Sequence, residues 1–393
     1  MPDQDPFYHQ PAEKIAMARP GQILDSRPVV LQNLLSSKPF QPWDVDAWQI
    51  AYRSNNTQGQ PIAAIATLIK PRGTASAPRG LMSVNTPENS TSLVCAPSYV
   101  LRYGAAVPTT LIGQITVPLQ TRFIQSAIDR GVAVIVPDDE GLNSAYSAGQ
   151  LAANITLDGI RAAISFAPLE SAPGVPVGLI GYSGGATGVS RAAEKYLSYA
   201  PDLNIVGVAM GGIMVNMGDA INDMNDGIAT GLGLASVMGV VTEYPELADY
   251  LNQNATAGYR WLMNAKKPLC TGWQSVTFPF LDLNSGLGDL NAPLPQKGYD
   301  NENLGKSIPP MPMFIWQSKY DEFFRIRYLD LLVSYYCSDP NTSLQYLRDN
   351  VPGHIMVGVD GGPVAALWLI DRILNGRPVS SGCTISDVNS VSG

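Results

Sequence analysis

Short apolar segments alternate with segments of helical spacing through the first half of the chain. Four mostly apolar runs predict strands: 81–84, 132–136, 177–180 and 204–210. The run at 132–136 is continuously apolar, which suits a strand covered on both faces. Three segments have helical spacing: 119–130, 151–166 and 186–199. Strands that alternate with helices at this interval form a mostly parallel sheet with right-handed crossovers, so the pattern predicts an α/β fold.

The pattern differs on both sides of this central part. Residues 1 to about 45 are rich in proline and polar residues and predict an irregular arm on the domain surface. Two further strands are predicted at 48–51 and 62–69. Residues 217–250 have helical spacing with many small residues and methionines, and no strand signal follows until about residue 275. This apolar piece is expected either to pack inside an inserted cap or to cover a site, and the two do not exclude each other.

Strand and helix signals resume near the C-terminus, with strands predicted at 313–316 and 343–347 and a last helix at 365–374. The Ser/Gly-rich tail that follows is expected to be extended or partly disordered. We therefore predict a core made of residues 1–214, with the arm, and 308–393, with the tail. A helical cap or lid would be inserted at 215–307.

The sequence at 181–185 reads Gly-Tyr-Ser-Gly-Gly and stands between a predicted strand and a predicted helix. In that context Gly-x-Ser-x-Gly forms a nucleophile elbow, a sharp turn that holds the serine clear of the sheet. Gly181 and Gly185 occupy the two positions where the turn leaves no room for a side chain. Ser183 is therefore the predicted nucleophile, with the Gly184 N–H beside it to receive an oxyanion. A glycine-rich turn with an incidental serine is the alternative.

A serine nucleophile needs a base, and histidine is the usual one because its pKa lies near working pH. The chain contains only two histidines, His9 and His354. His9 lies in the irregular arm and is expected to be an exposed surface residue. His354 lies in a loop between the strand at 343–347 and the last helix, which is where the α/β-hydrolase fold indicated by the elbow keeps its histidine. His354 is therefore the predicted base.

The acid that orients the histidine should lie between serine and histidine in this fold. Asp321 and Glu322 come directly after the strand at 313–316, in a loop at its C-terminal end. Three other aspartates are less well placed, in a helix, beside a proline turn and before a proline: Asp330, Asp339 and Asp349. We predict that Asp321 is the acid, with Glu322 as the alternative.

Composition narrows the class of protein. The net charge of −8 argues against nucleic acid and against anionic membrane surfaces as partners. Four cysteines without a Cys-x-x-Cys spacing and two histidines argue against a zinc site, and we expect no metal or other cofactor. An even number of widely spaced cysteines fits two disulfides and an extracellular setting. Because the first residues contain no apolar segment, any signal peptide is expected to have been removed.

Several segments resemble the secretory lipase family. They are the elbow at 181–185, residues 199–207 with Gly211 and Gly212, Asp138-Asp139-Glu140-Gly141, Cys95-Ala96-Pro97-Ser98-Tyr99 and Asp5-Pro6-Phe7-Tyr8. The resemblance covers nearly the whole chain. It implies an α/β-hydrolase core, a helical cap with a lid, and hydrolysis or transfer of acyl groups from esters.

The resemblance also implies roles for single residues. It places the nucleophile on Ser183, the acid on Asp321 and the histidine on His354, in agreement with the elimination above. It implies disulfides between Cys95 and Cys270 and between Cys337 and Cys383, whereas the residues alone leave three pairings open.

At one position the chain departs from the family pattern. The family's second oxyanion donor is an aspartate side chain, and counting back from Cys95 places Asn89 there. An amide donates at every pH, whereas a carboxyl donates only when protonated. Asn89 also begins one of five Asn-x-Ser/Thr sequons, but a residue in this role is not expected to carry a glycan. The other four sequons begin at Asn55, Asn154, Asn254 and Asn341.

The sequence thus predicts a secreted carboxylic-ester hydrolase, a lipase or esterase, that acts through a Ser-His-Asp triad and an acyl-enzyme. Its substrate would be an ester or lipid, its cap would make transient contact with a lipid interface, and the helices at 217–250 would line the acyl channel. Two alternatives stay open: an acyltransferase that uses the same acyl-enzyme, and a non-catalytic binding protein of this fold.

Overall fold

The computed structural model describes residues 1–32, 42–72, 77–103, 116–376 and 381–393. These residues contain ten strands: β1 Ile23–Pro28, β2 Val45–Asn55, β3 Pro61–Pro71, β4 Leu81–Asn85, β5 Ala133–Pro137, β6 Val177–Tyr182, β7 Ile205–Gly211, β8 Met313–Ser318, β9 Ser343–Asp349 and β10 Gly382–Val388. All ten form a single sheet in the order β1-β2-β3-β5-β4-β6-β7-β8-β9-β10.

The sheet is antiparallel at one side and parallel through the rest. β1, β2, β3 and β5 pair antiparallel. From β5 to β10 every neighbouring pair is parallel, so the carboxyl ends of these strands meet at one edge. Helices that connect the strands cover both faces, and the predicted α/β fold is confirmed.

The helices of the described residues fall into two groups by their place in the chain. Those outside the stretch between β7 and β8 are α1 Ala12–Met17, α2 Pro97–Tyr103, α3 Thr116–Ile128, α4 Gly149–Ser165, α5 Gly184–Tyr199, α13 Ile326–Tyr336 and α14 His354–Asn375. Those between β7 and β8 are α6 Met217–Met224, α7 Thr230–Val240, α8 Pro245–Asn254, α9 Ala257–Lys266, α10 Thr271–Val276, α11 Leu283–Leu287 and α12 Pro293–Glu302.

Two apolar layers enclose the sheet, because successive side chains of a strand point to opposite faces. Leu179 of β6 packs in the layer formed with α4, α5 and α13. The next residue, Ile180, packs in the layer formed with α3 and α14. The mostly apolar runs seen in the sequence follow from this burial on both faces.

The helices α6 to α12, which we call the helical insertion (residues 217–302), have an apolar core of their own. Helix α7 is buried on every side, both by the other helices of the insertion and by Tyr146 from outside it, which accounts for its all-round apolar sequence. Ser275 lies in α10, and the stretch between β7 and β8 contains no strand, so the strand signal near residue 275 was wrong. Within the described residues, none of the helices combines the length and apolar character that crossing a membrane requires.

Two edge strands were missed because their sequences are polar. The predicted irregular arm contains β1, which pairs with β2, although part of the arm (33–41) lies outside the described residues. The tail was expected to be extended or partly disordered: residues 377–380 lie outside the described residues, and β10 is an extended strand that pairs with β9 and exposes or half-exposes every side chain. An edge strand is held by backbone hydrogen bonds to one neighbour and buries few side chains. The pattern of apolar residues therefore does not predict it.

The last helix begins eleven residues earlier than predicted, at His354, which is therefore in its first turn and not in a loop. Gly361, Gly362 and Pro363 lower helix propensity, which is why the sequence favoured a later start. The structure gives the glycines a packing reason. A Cβ on Gly361 would lie 2.5 Å from Trp316, and one on Gly362 would lie 2.3 Å from Phe123.

Candidate active site

Ser183 lies in the sharp turn between β6 and α5, with φ +56° and ψ −123°. Few non-glycine residues adopt a positive φ, and strain of this kind is typical of functional sites. The two flanking residues must be glycines, because a side chain at either position would collide with neighbouring backbone. A Cβ on Gly181 would lie 2.5 Å from the Gly185 carbonyl oxygen, and one on Gly185 would lie 2.1 Å from the Asn85 carbonyl oxygen. The turn therefore has the geometry of a nucleophile elbow.

The structure brings together the three residues that the sequence selected. His354 Nε2 lies 2.7 Å from Ser183 Oγ, and His354 Nδ1 lies 2.7 Å from Asp321 Oδ2. All three residues are buried. Because the carboxylate accepts from Nδ1–H, Nε2 is left as the acceptor for the serine hydroxyl. His9, by contrast, is exposed, as expected.

Asp321 is held by three donors besides the histidine. Gln317 Nε2 donates to Oδ2 at 2.8 Å, and the backbone amides of Phe323 and Phe324 donate to Oδ1 at 2.9 Å each. These bonds hold the carboxyl in one orientation, with Oδ2 toward the His354 ring. Sequence reasoning missed Gln317, whose position inside β8 gives no local sign of this contact.

The neighbouring acid, Glu322, contacts the backbone of the histidine instead of its ring. Glu322 Oε2 accepts from the backbone N–H of His354 at 2.7 Å. The first amides of a helix have no partner within the helix, and a carboxylate at this end also complements the helix dipole. Glu322 therefore fixes the start of α14, whereas Asp321 is the acid at the imidazole.

Aromatic rings surround the imidazole. The ring centroids of Tyr182, Phe323 and Phe324 lie 5.1, 4.9 and 5.3 Å from that of His354. The Tyr182 hydroxyl also donates to the His354 carbonyl oxygen. These contacts restrict the imidazole to one orientation, and apart from the position of Tyr182 inside the elbow they could not be predicted from the sequence.

Asn89 lies against the elbow, with its side chain beside Gly184. A Cβ on Gly184 would lie 1.8 Å from Asn89 Oδ1, so only glycine permits this approach. Asn89 has a φ of +45° and a relative exposure of 4%. Its Oδ1 is enclosed and has no hydrogen-bond partner among the described residues. Ser183 and Asn89 line the same cavity.

This cavity has a volume of about 260 Å³ and lies between α3, α10 and α14. Its apolar lining includes Phe123, Leu232, Val276, Phe323, Ile355 and Val359. The helices at 217–250 were expected to line an acyl channel. They contribute one residue, Leu232, to the described lining of this cavity. Gly233 points away, toward Leu283 and Met224 inside the helical insertion. The wall on the insertion side is formed mainly by α10.

The two disulfides pair Cys95 with Cys270 and Cys337 with Cys383, as the resemblance implied. The first ties the loop that follows Asn89 to the start of α10. The Thr271 hydroxyl donates to the Glu88 carbonyl oxygen on the same boundary. The second joins the end of α13 to the edge strand β10. No group of histidine, cysteine and acidic side chains suited to hold a metal ion occurs among the described residues.

Comparison with known proteins identifies the family. The secretory lipase family matches residues 106–382. Lipase A of Arthroderma benhamiae is 33% identical over 98% of this chain and 82% of its own. A probable trichothecene esterase of Stachybotrys chartarum is 30% identical over 98% of this chain and 80% of its own. A crystal structure of Candida antarctica lipase A in its closed state superposes with a TM-score of 0.87 at 29% identity, over 97% of this chain and 88% of that one. The chain is therefore an ester hydrolase with an α/β-hydrolase fold, and it belongs to the secretory lipase family.

Proposed function

We propose that this enzyme cleaves carboxylic esters through an acyl-enzyme formed on Ser183. The observation that supports this is the chain of two 2.7 Å contacts from Ser183 Oγ through the His354 ring to Asp321. Nucleophile and base within hydrogen-bond reach, with the base oriented by a third group, are what nucleophilic catalysis requires.

In the first half-reaction Ser183 Oγ forms a bond to the ester carbonyl carbon while its proton passes to His354 Nε2. The tetrahedral intermediate then collapses, the bond to the alkoxy oxygen breaks, and His354 returns the proton to the departing alcohol. In the second half-reaction water gives a proton to His354 and attacks the acyl carbon. Collapse of that intermediate releases the carboxylic acid and restores the Ser183 hydroxyl. Asp321 stabilises the imidazolium that forms in both halves.

The oxyanion of each intermediate is proposed to accept from the Gly184 N–H and from the Asn89 side-chain amide. Gly184 is the first residue of α5, so its N–H is one of the amides that a helix leaves without a partner. Asn89 lies beside it on the cavity wall. Fixed donors aimed at the place where negative charge develops are often the largest single contribution to acyl-transfer catalysis.

The mostly apolar cavity next to Ser183 supports esters with an aliphatic or other apolar group. Ile355 and Val276 line the cavity and, like Met356 next to Ile355 in the chain, expose more than half of their surface. We propose that these three residues touch a lipid interface transiently. We propose that residues 215–307 form a cap over a core made of residues 1–214 and 308–393. The family and the two disulfides support secretion into an oxidising environment.

The test combines an active-site label with a substrate series. A fluorophosphonate should add once, at Ser183, and the enzyme should release p-nitrophenol from a series of acyl esters. Ser183→Ala should abolish both, whereas Ser198→Ala, an exposed change at the far end of α5, should leave both intact. Label on another residue, or hydrolysis retained by Ser183→Ala, would refute the proposal. Added alcohol would separate the transferase alternative, because a transferase makes more ester than free acid.

A further inference from the structure

Four carboxyl groups lie buried beneath the loop that carries Asn89. Glu88 is the residue before Asn89, and the other three form the turn after β5: Asp138, Asp139 and Glu140. Their residues expose between 0% and 7% of their surface. In the part of the chain that the structure describes, no arginine or lysine pairs with any of them. Such a group of acids cannot all be ionised near neutral pH, because burial and mutual repulsion both oppose it.

Hydrogen-bond donors are distributed unequally among the four. Glu140 Oε2 accepts from the Ser90 backbone N–H at 3.1 Å. Asp138 accepts from the Ser98 amide and hydroxyl, and Asp139 accepts from the Asn85 side chain. Both side-chain oxygens of Glu88 are buried, and none of the residues that the structure describes donates a hydrogen bond to them.

This distribution indicates which group carries charge. A carboxylate that accepts backbone N–H bonds is stabilised in its ionised form, and one without donors is not. Burial raises the pKa of both carboxyls well above the usual range, and the charge of Glu140 adds to the rise for Glu88, as that of Asp139 does for Glu140. The bond from the Ser90 N–H opposes the rise at Glu140, whereas none of the described residues donates to Glu88. Glu140 is therefore the member of the pair that ionises first, and Glu88 is the member that retains its proton.

We propose that ionised Glu140 is a positioning residue for the oxyanion site, and that Glu88 must stay protonated for Glu140 to hold the Asn89 loop in place. The proposal rests on the proposed role of Asn89. Asn89 has a left-handed backbone conformation that few residues adopt unaided. The Ser90 N–H bound to Glu140 holds the chain directly after Asn89 and so supports that conformation, and bonds to a charged acceptor are about twice as strong as neutral ones.

Ionisation of Glu88 would place a second negative charge beside Glu140. The charged or titratable groups that face this pair are Asp138 and Asp139 from the turn after β5 and Tyr146, whose pKa is raised by burial and by Glu140. From α10, the Thr271 hydroxyl bonds the Glu88 carbonyl oxygen. None of these groups supplies positive charge, so repulsion would displace the loop and move the Asn89 amide away from the oxyanion.

The experiment compares the isosteric variants Glu140→Gln and Glu88→Gln with wild type across the pH range. Glu140→Gln should lower kcat about tenfold with little change in KM, less than the 10²–10³-fold cost of losing an oxyanion donor outright. Wild type should lose kcat at alkaline pH as Glu88 ionises, and Glu88→Gln should lack this decline because its amide stays neutral. Glu246→Gln, an exposed change in the helical insertion, is the matched control and should behave as wild type.

The outcomes separate this inference from the proposed function. If Asn89→Ala lowers kcat strongly but Glu140→Gln does not, Glu140 is not a positioning residue and the oxyanion assignment stands. If Asn89→Ala has no effect, the oxyanion assignment itself fails. An alkaline decline retained by Glu88→Gln would overturn the role of Glu88. Should Glu140→Gln not fold, Glu140→Asp keeps the charge on a shorter side chain, and a normal kcat in that variant would refute the need for this geometry.

Discussion

Glu322 accepts a hydrogen bond from the backbone N–H of His354 at 2.7 Å, while its neighbour Asp321 binds the imidazole of the same residue. Two consecutive acids thus hold one histidine, one by its backbone and the other by its ring. The start of α14 and the orientation of the imidazole are therefore fixed from the same loop.

Because Asp321 and Glu322 contact different parts of His354, we expect substitutions at and near the proposed triad to lower kcat by different amounts. Ser183→Ala and His354→Ala should each lower kcat by about 10⁶ because each removes a bond-making or proton-carrying group. Asp321→Asn should cost about 10⁴, since an amide cannot hold the same tautomer. Glu322→Gln should change kcat little, because an amide oxygen still accepts from the His354 N–H. Steady-state kinetics on a short-chain ester checks the order, and a larger loss in Glu322→Gln than in Asp321→Asn would reverse the assignment of the acid.

Asn89 predicts a distinctive pH dependence. Asn89→Ala should lower kcat by about 10²–10³ with little change in KM, because the bond matters once charge has developed on the oxygen. Asn89→Asp makes the donor titratable, and a carboxyl donates only while protonated. Its activity relative to wild type should therefore be best at low pH and fall as pH rises. Superimposable pH–rate profiles for Asn89→Asp and wild type would exclude Asn89 from the oxyanion site.

The buried acids predict that stability falls with rising pH. Burial raises the pKa of Asp138 and of Asp139 to about 7, whereas an aspartate in an unfolded chain has a pKa of about 4. Between these values the folded protein binds more protons than the unfolded chain, so the free energy of unfolding decreases as pH rises through this window.

Thermal unfolding at a series of pH values measures this slope. Asp139→Asn should flatten it, because the amide keeps a bond to Asn85 and cannot ionise, and Glu246→Gln should leave it as in wild type. A melting temperature that rises across the window would contradict the assignment of protons to these carboxyls.

The cavity wall predicts control of chain length by α10. Ser275 lines the cavity, so Ser275→Phe should suppress turnover of long-chain p-nitrophenyl esters more than that of the acetate. Ser198→Phe, at an exposed position of α5, adds the same ring away from the cavity and should affect neither. An equal loss on both esters with Ser275→Phe would mean that the cavity does not hold the acyl chain.

Local sequence pattern was sufficient to predict the buried strands, the turn at Ser183 and the histidine beside it. Mostly apolar runs marked the buried strands, because a strand covered on both faces has no polar side. Gly-x-Ser-x-Gly marked the turn at Ser183, because only glycine fits where Gly181 and Gly185 meet neighbouring backbone. His354 followed by elimination, since the chain has a single other histidine.

The remaining features depend on contacts between distant segments. Asp321 and Glu322 are adjacent and chemically alike, and their roles differ because the loop after β8 points one carboxylate at the imidazole and the other at the first amide of α14. The walls of the cavity come from α3, α10 and α14, which are far apart in sequence. The edge strands β1 and β10 are held by backbone hydrogen bonds, and the pattern of apolar and polar side chains does not reveal such bonds. The sequence by itself determined which residues could do the chemistry, and tertiary packing decided which neighbours hold them and where a substrate fits.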